Sequence, residues 1–144
     1  CDPQGQCMLP SSTIPPGNCI DNDLEPNNSA QTATSLDSQL QSHPQGVSLF
    51  GVEVCSTDDN DYYLFSLFTT STVTVTVQYI RSEGELKASV LDGTGGEMAV
   101  GSPSAEGLTI QDLSLPPGVY YLLVSPGDGA TTNVYDFSLA ITAP

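Results

Sequence analysis

Between Thr72 and Ile80 the chain alternates without a break: Val73, Val75, Val77 and Tyr79 point one way, Thr72, Thr74, Thr76 and Gln78 the other. Strand side chains repeat every two residues, so this pattern predicts a strand buried on one face. Similar short runs recur on both sides of it. Val47–Val54 and Asp61–Phe68 precede it. Glu85–Leu91 and Glu97–Val100 flank Asp92-Gly93-Thr94-Gly95-Gly96, a hairpin turn rich in residues that accept positive φ. Leu108–Leu115 ends at Pro116-Pro117-Gly118, and Val119–Ser125 ends at Pro126-Gly127-Asp128-Gly129. Asn133–Thr142 closes the series, with Tyr135, Phe137, Leu139 and Ile141 on one face. About eight short strands with turn signals at near-regular intervals predict an all-β fold, an antiparallel sandwich of jelly-roll type. No segment is periodic over the length of an ordinary helix, and there is no internal repeat.

The remainder divides in two. Residues 1–22 predict an irregular N-terminal arm, because Pro3, Pro10, Pro15, Pro16, Gly5 and Gly17 exclude helix and interrupt any central strand. Its one apolar, extended stretch is Met8–Ile14, with Met8, Leu9 and Ile14 as candidate docking residues. Residues 23–144 form the predicted sandwich. Within them, residues 29–36 suggest a brief helical turn with Ser29 near its N-cap, followed by a polar loop through His43-Pro44-Gln45-Gly46. The pairs Tyr62-Tyr63 and Tyr120-Tyr121 lie on strands, so each sends one ring to the core and one outward. The outward rings are either an adhesive face or ordinary strand residues.

Charge narrows the function. Seventeen acidic residues face two basic ones, Arg81 and Lys87, for a net charge of −15. Phosphate recognition needs clustered Lys and Arg, so nucleic acid is excluded as a partner and an anionic membrane is disfavoured. No apolar run approaches the ~20 residues of a membrane span, and no signal peptide is visible. The four cysteines, Cys1, Cys7, Cys19 and Cys55, form an even set in a Pro- and Gly-rich region, which favours disulfides and an extracellular or cell-surface location. Of the three possible pairings we favour Cys1–Cys7 with Cys19–Cys55. A zinc site is the weaker alternative, since the spacings do not fit and His43 is far away. Cys1 as a lipid-anchor site would leave three thiols.

Seven of the acids fall in two short stretches, Asp21–Asn28 and Glu53–Tyr62. Each sets oxygen side chains among turn formers beside a strand. Carboxylates at that density repel unless water or a cation separates them, and Ca²⁺, with six to eight oxygen ligands, is the natural partner. The alternative is a pair of solvated turns. Asp21, Asp23 and Glu25 imitate the opening of an EF-hand loop, but Pro26 replaces its glycine and no bidentate Glu follows at the twelfth position. The two stretches flank the start of the sandwich, at the same places as Cys19 and Cys55, and so suggest a double clasp, ionic and covalent. There is no G-x-S-x-G, H-E-x-x-H or phosphate loop, and His43 stands alone, so no enzymatic activity is expected. Asn27-Asn28-Ser29 is an N-glycosylation sequon, which places a possible glycan on Asn27.

The order of these pieces resembles the bacterial pre-peptidase C-terminal domain family, whose relatives include collagen-binding domains of clostridial collagenases. The resemblance rests on Leu24-Glu25-Pro26-Asn27-Asn28-Ser29, on Gly51-Val52-Glu53-Val54 leading into Asp58-Asp59-Asn60-Asp61-Tyr62-Tyr63, on Pro117-Gly118-Val119-Tyr120-Tyr121, and on Tyr135-Asp136-Phe137-Ser138-Leu139. It spans about residues 23–142 and leaves the arm without a counterpart. It implies a jelly roll without catalysis of its own, accessory to a secreted peptidase. It also implies Ca²⁺ held by Asp23, Glu25, Asn27 and Asn28 with Asp58 and Asp61; Asn28 stands where some relatives have Asp, which removes one charge. Two functions follow as expectations. One is a calcium-stabilised subunit of an extracellular fibre or surface layer, self-associating through the arm. The other is an accessory targeting module that binds a matrix protein or polysaccharide.

Overall fold

The structure is a computed structural model and describes Asn27 and residues 29–54, 60–80, 85–127 and 133–143. Ten strands are found among these residues, β1 (Thr34–Ser35), β2 (Gly46–Val54), β3 (Asp61–Leu67), β4 (Ser71–Tyr79), β5 (Leu86–Asp92), β6 (Glu97–Val100), β7 (Ser102–Pro103), β8 (Gly107–Leu115), β9 (Gly118–Pro126) and β10 (Asn133–Thr142). They form two sheets of order β1-β3-β9-β5-β6 and β2-β10-β4-β8-β7. Counting only the eight strands of four or more residues, the sheets read 2-7-4-5 and 1-8-3-6. That is the strand order of a jelly roll, and the expected fold class holds. All pairings are antiparallel except that of β1 with β3.

The core forms because inward positions on both sheets carry β-branched or aromatic side chains. Val73, Val75, Val77 and Tyr79 of β4 are buried, while Thr72, Thr74, Thr76 and Gln78 face outward, as their alternation requires. Opposite them lie Tyr63 and Phe65 of β3 and Leu122 of β9, all with no exposed surface. Phe65 stacks on Tyr120 at 5.8 Å between ring centroids. Tyr63 and Tyr120 are the buried members of the two tyrosine pairs. Tyr62 and Tyr121 lie outside and meet edge-on at 6.3 Å.

Close approaches explain local choices of residue. A Cβ on Gly107 would overlap the carbonyl of Val77, so only glycine lets β8 begin beside β4. In the β5–β6 hairpin, Asp92 Oδ1 accepts from the Thr94 hydroxyl at 2.6 Å, the Gly96 amide at 2.8 Å and the Thr94 amide at 2.9 Å. The Thr94 hydroxyl bond, with those two amides, holds the Asp92 carboxyl below the usual range. A β-bulge interrupts β2 opposite Asp136. There Gly51 takes φ 68°, and its amide donates to Asp136 Oδ1 at 2.8 Å.

The stretch before β2 departs from its expected form. The helical turn expected over residues 29–36 is a 3₁₀ turn at Ala30–Thr32 followed by β1. The expected polar loop contains a short helix, α1 (Asp37–Ser42). Leu36 and Leu40, one turn apart, are its buried contacts, and Asp37 receives the Ser66 amide and hydroxyl, both at 2.8 Å. His43, which ends this helix, is exposed.

Candidate functional site

Asn27, from the first acidic stretch, and Asp61, the last acid of the second, come together where β3 begins. The Asn27 carbonyl accepts from the Tyr62 amide at 2.8 Å. The chain then loops through the 3₁₀ turn and returns to β3, where Thr34 and Ser35 pair with Tyr63 and Leu64, and the Leu36 amide donates to the Leu64 carbonyl at 2.8 Å. The segment thus grips β3 twice and covers its outer edge. Neither Asn27 nor Asp61 has exposed surface.

Asp61 starts a polar chain through the core. Tyr135, at an inward position on β10 in the opposite sheet, donates its hydroxyl to Asp61 Oδ2 at 2.5 Å. The Tyr135 and Tyr63 hydroxyls are 2.7 Å apart, and Tyr63 packs on Phe137 at 4.7 Å between centroids. The chain joins the two sheets. A buried carboxylate is costly unless it is hydrogen-bonded, and a short bond from a neutral hydroxyl serves that need without a second charge. Burial first, then the neighbouring Tyr63 and Asp61, push the Tyr135 hydroxyl well above the usual tyrosine value of 10.0. Nearby, Asn133 is buried and its amide donates to the Ile80 carbonyl at 3.0 Å.

Of the six expected calcium ligands, the structure brings Asn27 and Asp61 to one place. Asp23, Glu25, Asn28 and Asp58 lie outside the described residues, as do Cys1, Cys7, Cys19 and Cys55 and the arm residues Met8, Leu9 and Ile14. Sequence reasoning missed Tyr135 as the partner of Asp61 and Tyr63 as the partner of Tyr135. The available signal was a tyrosine at an inward strand position, since a buried hydroxyl seeks a partner. The donors gathered here, a carboxylate and a carboxamide residue, suit a hard cation. The bond from Tyr135 to Oδ2 fixes the orientation of the Asp61 carboxylate.

The outer surface of the same sheet holds a second feature. Around the Tyr62–Tyr121 contact, Leu64 and Leu123 are half-exposed, and Leu91, paired with Tyr121, is buried on this outer side. Val119, Met98 and Val100 are exposed.

No protein-family model and no curated protein matches the sequence. Solved structures match the fold. The pre-peptidase C-terminal domain of a collagenase from Bacillus anthracis aligns at 15% identity over 76% of this chain and 94% of that one, with a TM-score of 0.57. PliG from Aeromonas hydrophila, a periplasmic inhibitor of g-type lysozyme, aligns at 14% identity over 76% and 97%, with a TM-score of 0.59. The fold is therefore that of a β-sandwich which a pre-peptidase C-terminal domain, the family that the sequence resembles, shares with PliG. Among the described residues no helix is long and apolar enough to cross a membrane.

Proposed function

We propose that the protein is a non-catalytic extracellular β-sandwich, a calcium-stabilised subunit of a self-assembling fibre or surface structure whose N-terminal arm makes the contacts between subunits. The observation that carries this reading is the division of charge along the chain. Residues 1–20 contain one acid, Asp2, and no base; the other sixteen acids and both basic residues lie in residues 21–144, a net charge of −14. Two such bodies repel, and a nearly uncharged arm can approach a second copy without that cost. The grip of Asn27 and Thr34–Leu36 on β3 supports the reading, because it anchors the segment that follows the arm in the sequence.

The test compares the full chain with a chain lacking residues 1–20 by size-exclusion chromatography with light scattering. The full chain is expected to associate and the shortened one to run as a monomer; two monomers sink the proposal.

A second reading, a targeting module for a matrix protein or polysaccharide, is favoured by the outward Tyr62–Tyr121 pair and its leucine neighbours, because exposed aromatic clusters mark binding surfaces. It predicts retention on collagen, chitin or cell-wall material that is lost in Tyr121→Ala. Passage through all three without retention removes it.

A further inference from the structure

Resting on the self-assembly reading, we propose that β2 is the acceptor edge, onto which residues Met8–Ile14 of a second copy of this chain add as an extra strand. Among the described residues each sheet has two edges, and three of the four are short: β1 with two residues, β6 with four and β7 with two. The fourth is β2, nine residues long. On this side of the sandwich residues 27–36 cover β3, whereas no described segment pairs with the outer side of β2. An open strand presents a row of amide and carbonyl groups that another chain can pair with.

The composition of β2 does little to prevent that. It has no proline and no lysine, and its single charge is Glu53. Phe50 is 76% exposed at the bulge, an expense in water that a packed partner removes. The bulge itself is the one protective device present, and it leaves Gly46–Leu49 and Val52–Val54 in regular pairing on either side.

Met8–Ile14 matches this edge in three respects. It is uncharged, so it docks on a nearly neutral strand of a strongly acidic body. At ~3.3 Å per residue it extends over about 23 Å, against about 30 Å for β2. Pro10 lacks an amide hydrogen, which suits a strand that pairs on one side only. The twelve residues between Ile14 and Asn27 reach about 40 Å when extended. Pro15, Pro16 and Pro26 within them stiffen the connection and favour reaching outward over folding back.

The test places a photo-reactive benzoylphenylalanine at position 50 of the full chain and irradiates an equal mixture of ¹⁵N-labelled and unlabelled protein. The expected products join position 50 to residues 8–14 in heavy–light pairs. In parallel, Phe50→Glu is expected to raise the concentration needed for association by at least about tenfold, with an unchanged melting temperature. Association that persists in Phe50→Glu, or cross-links landing instead on the groove formed by Leu40, Leu67, Phe68 and Ile141 at the other end of the sandwich, overturns β2 as acceptor and leaves self-assembly standing. Cross-links confined to chains of one isotope, or no association at all, overturn both.

Discussion

Tyr135→Phe will lower the unfolding free energy by about 2–4 kcal/mol, because one hydrogen bond to a carboxylate is worth ~1.5–3 and one between neutral hydroxyls ~0.5–1.5. The ring and its packing against Phe137 remain, so the loss isolates the hydroxyl. That hydroxyl donates to a fully buried carboxylate and links strands from opposite sheets. Tyr63→Phe removes the contact between the two neutral hydroxyls and will cost about 1 kcal/mol. Urea unfolding followed by circular dichroism measures both, and equal losses for the two variants contradict the assigned order of the chain. The alkaline limb supplies an independent readout. Tyr135 is raised above 10.0 in the folded state, so the unfolded chain surrenders this proton first. Its stabilising contribution is complete below pH 10.0 and falls as pH climbs toward the folded value, a slope that Tyr135→Phe will flatten.

Adding EDTA will lower the melting temperature of the calcium-loaded protein. A ligand that binds only the folded state stabilises it by RT ln(1 + [L]/Kd), about 2.7 kcal/mol at a hundredfold excess over Kd. For a domain of this size that corresponds to roughly 10 °C. The effect should reverse with Ca²⁺ in excess of the chelator. In Asp61→Asn the calcium-dependent part should shrink, because the site loses a charge where the two acidic stretches meet. Asn27 and Asp61 support the expectation by lying together, buried and oxygen-bearing, at the start of β3. A melting temperature that EDTA leaves unchanged removes calcium from the reading.

The long strands were legible in the sequence because their inward positions carry Val, Leu, Tyr or Phe at a period of two, and prolines or glycines punctuate the gaps. β4 is the clearest case, with its valines buried and its threonines outside. The failures have a common physical origin. β1 and β7 are two-residue strands defined by what they pair with, so they leave no periodic trace. Helix α1 is built of Asp, Ser and Gln around one buried leucine, and tertiary contacts hold it: Leu40 in the core and Asp37 on Ser66. The acidic residues of the candidate site were legible by their density. The bond from Tyr135 to Asp61 was not, because 74 residues separate them and only the closure of the two sheets brings them together.

The way residues 27–36 lie on β3 also decides how the sandwich bears tension. Thr34 and Ser35 run parallel to β3, and the chain arrives from the Asn27 end. A pull on the residues before Asn27, directed along the strand axis, loads these hydrogen bonds in shear, several at once, instead of peeling them apart in succession. Behind them, the Asp61–Tyr135 link passes part of that load across to β10 in the other sheet. A pull transmitted to Asn27 is therefore resisted by both sheets together.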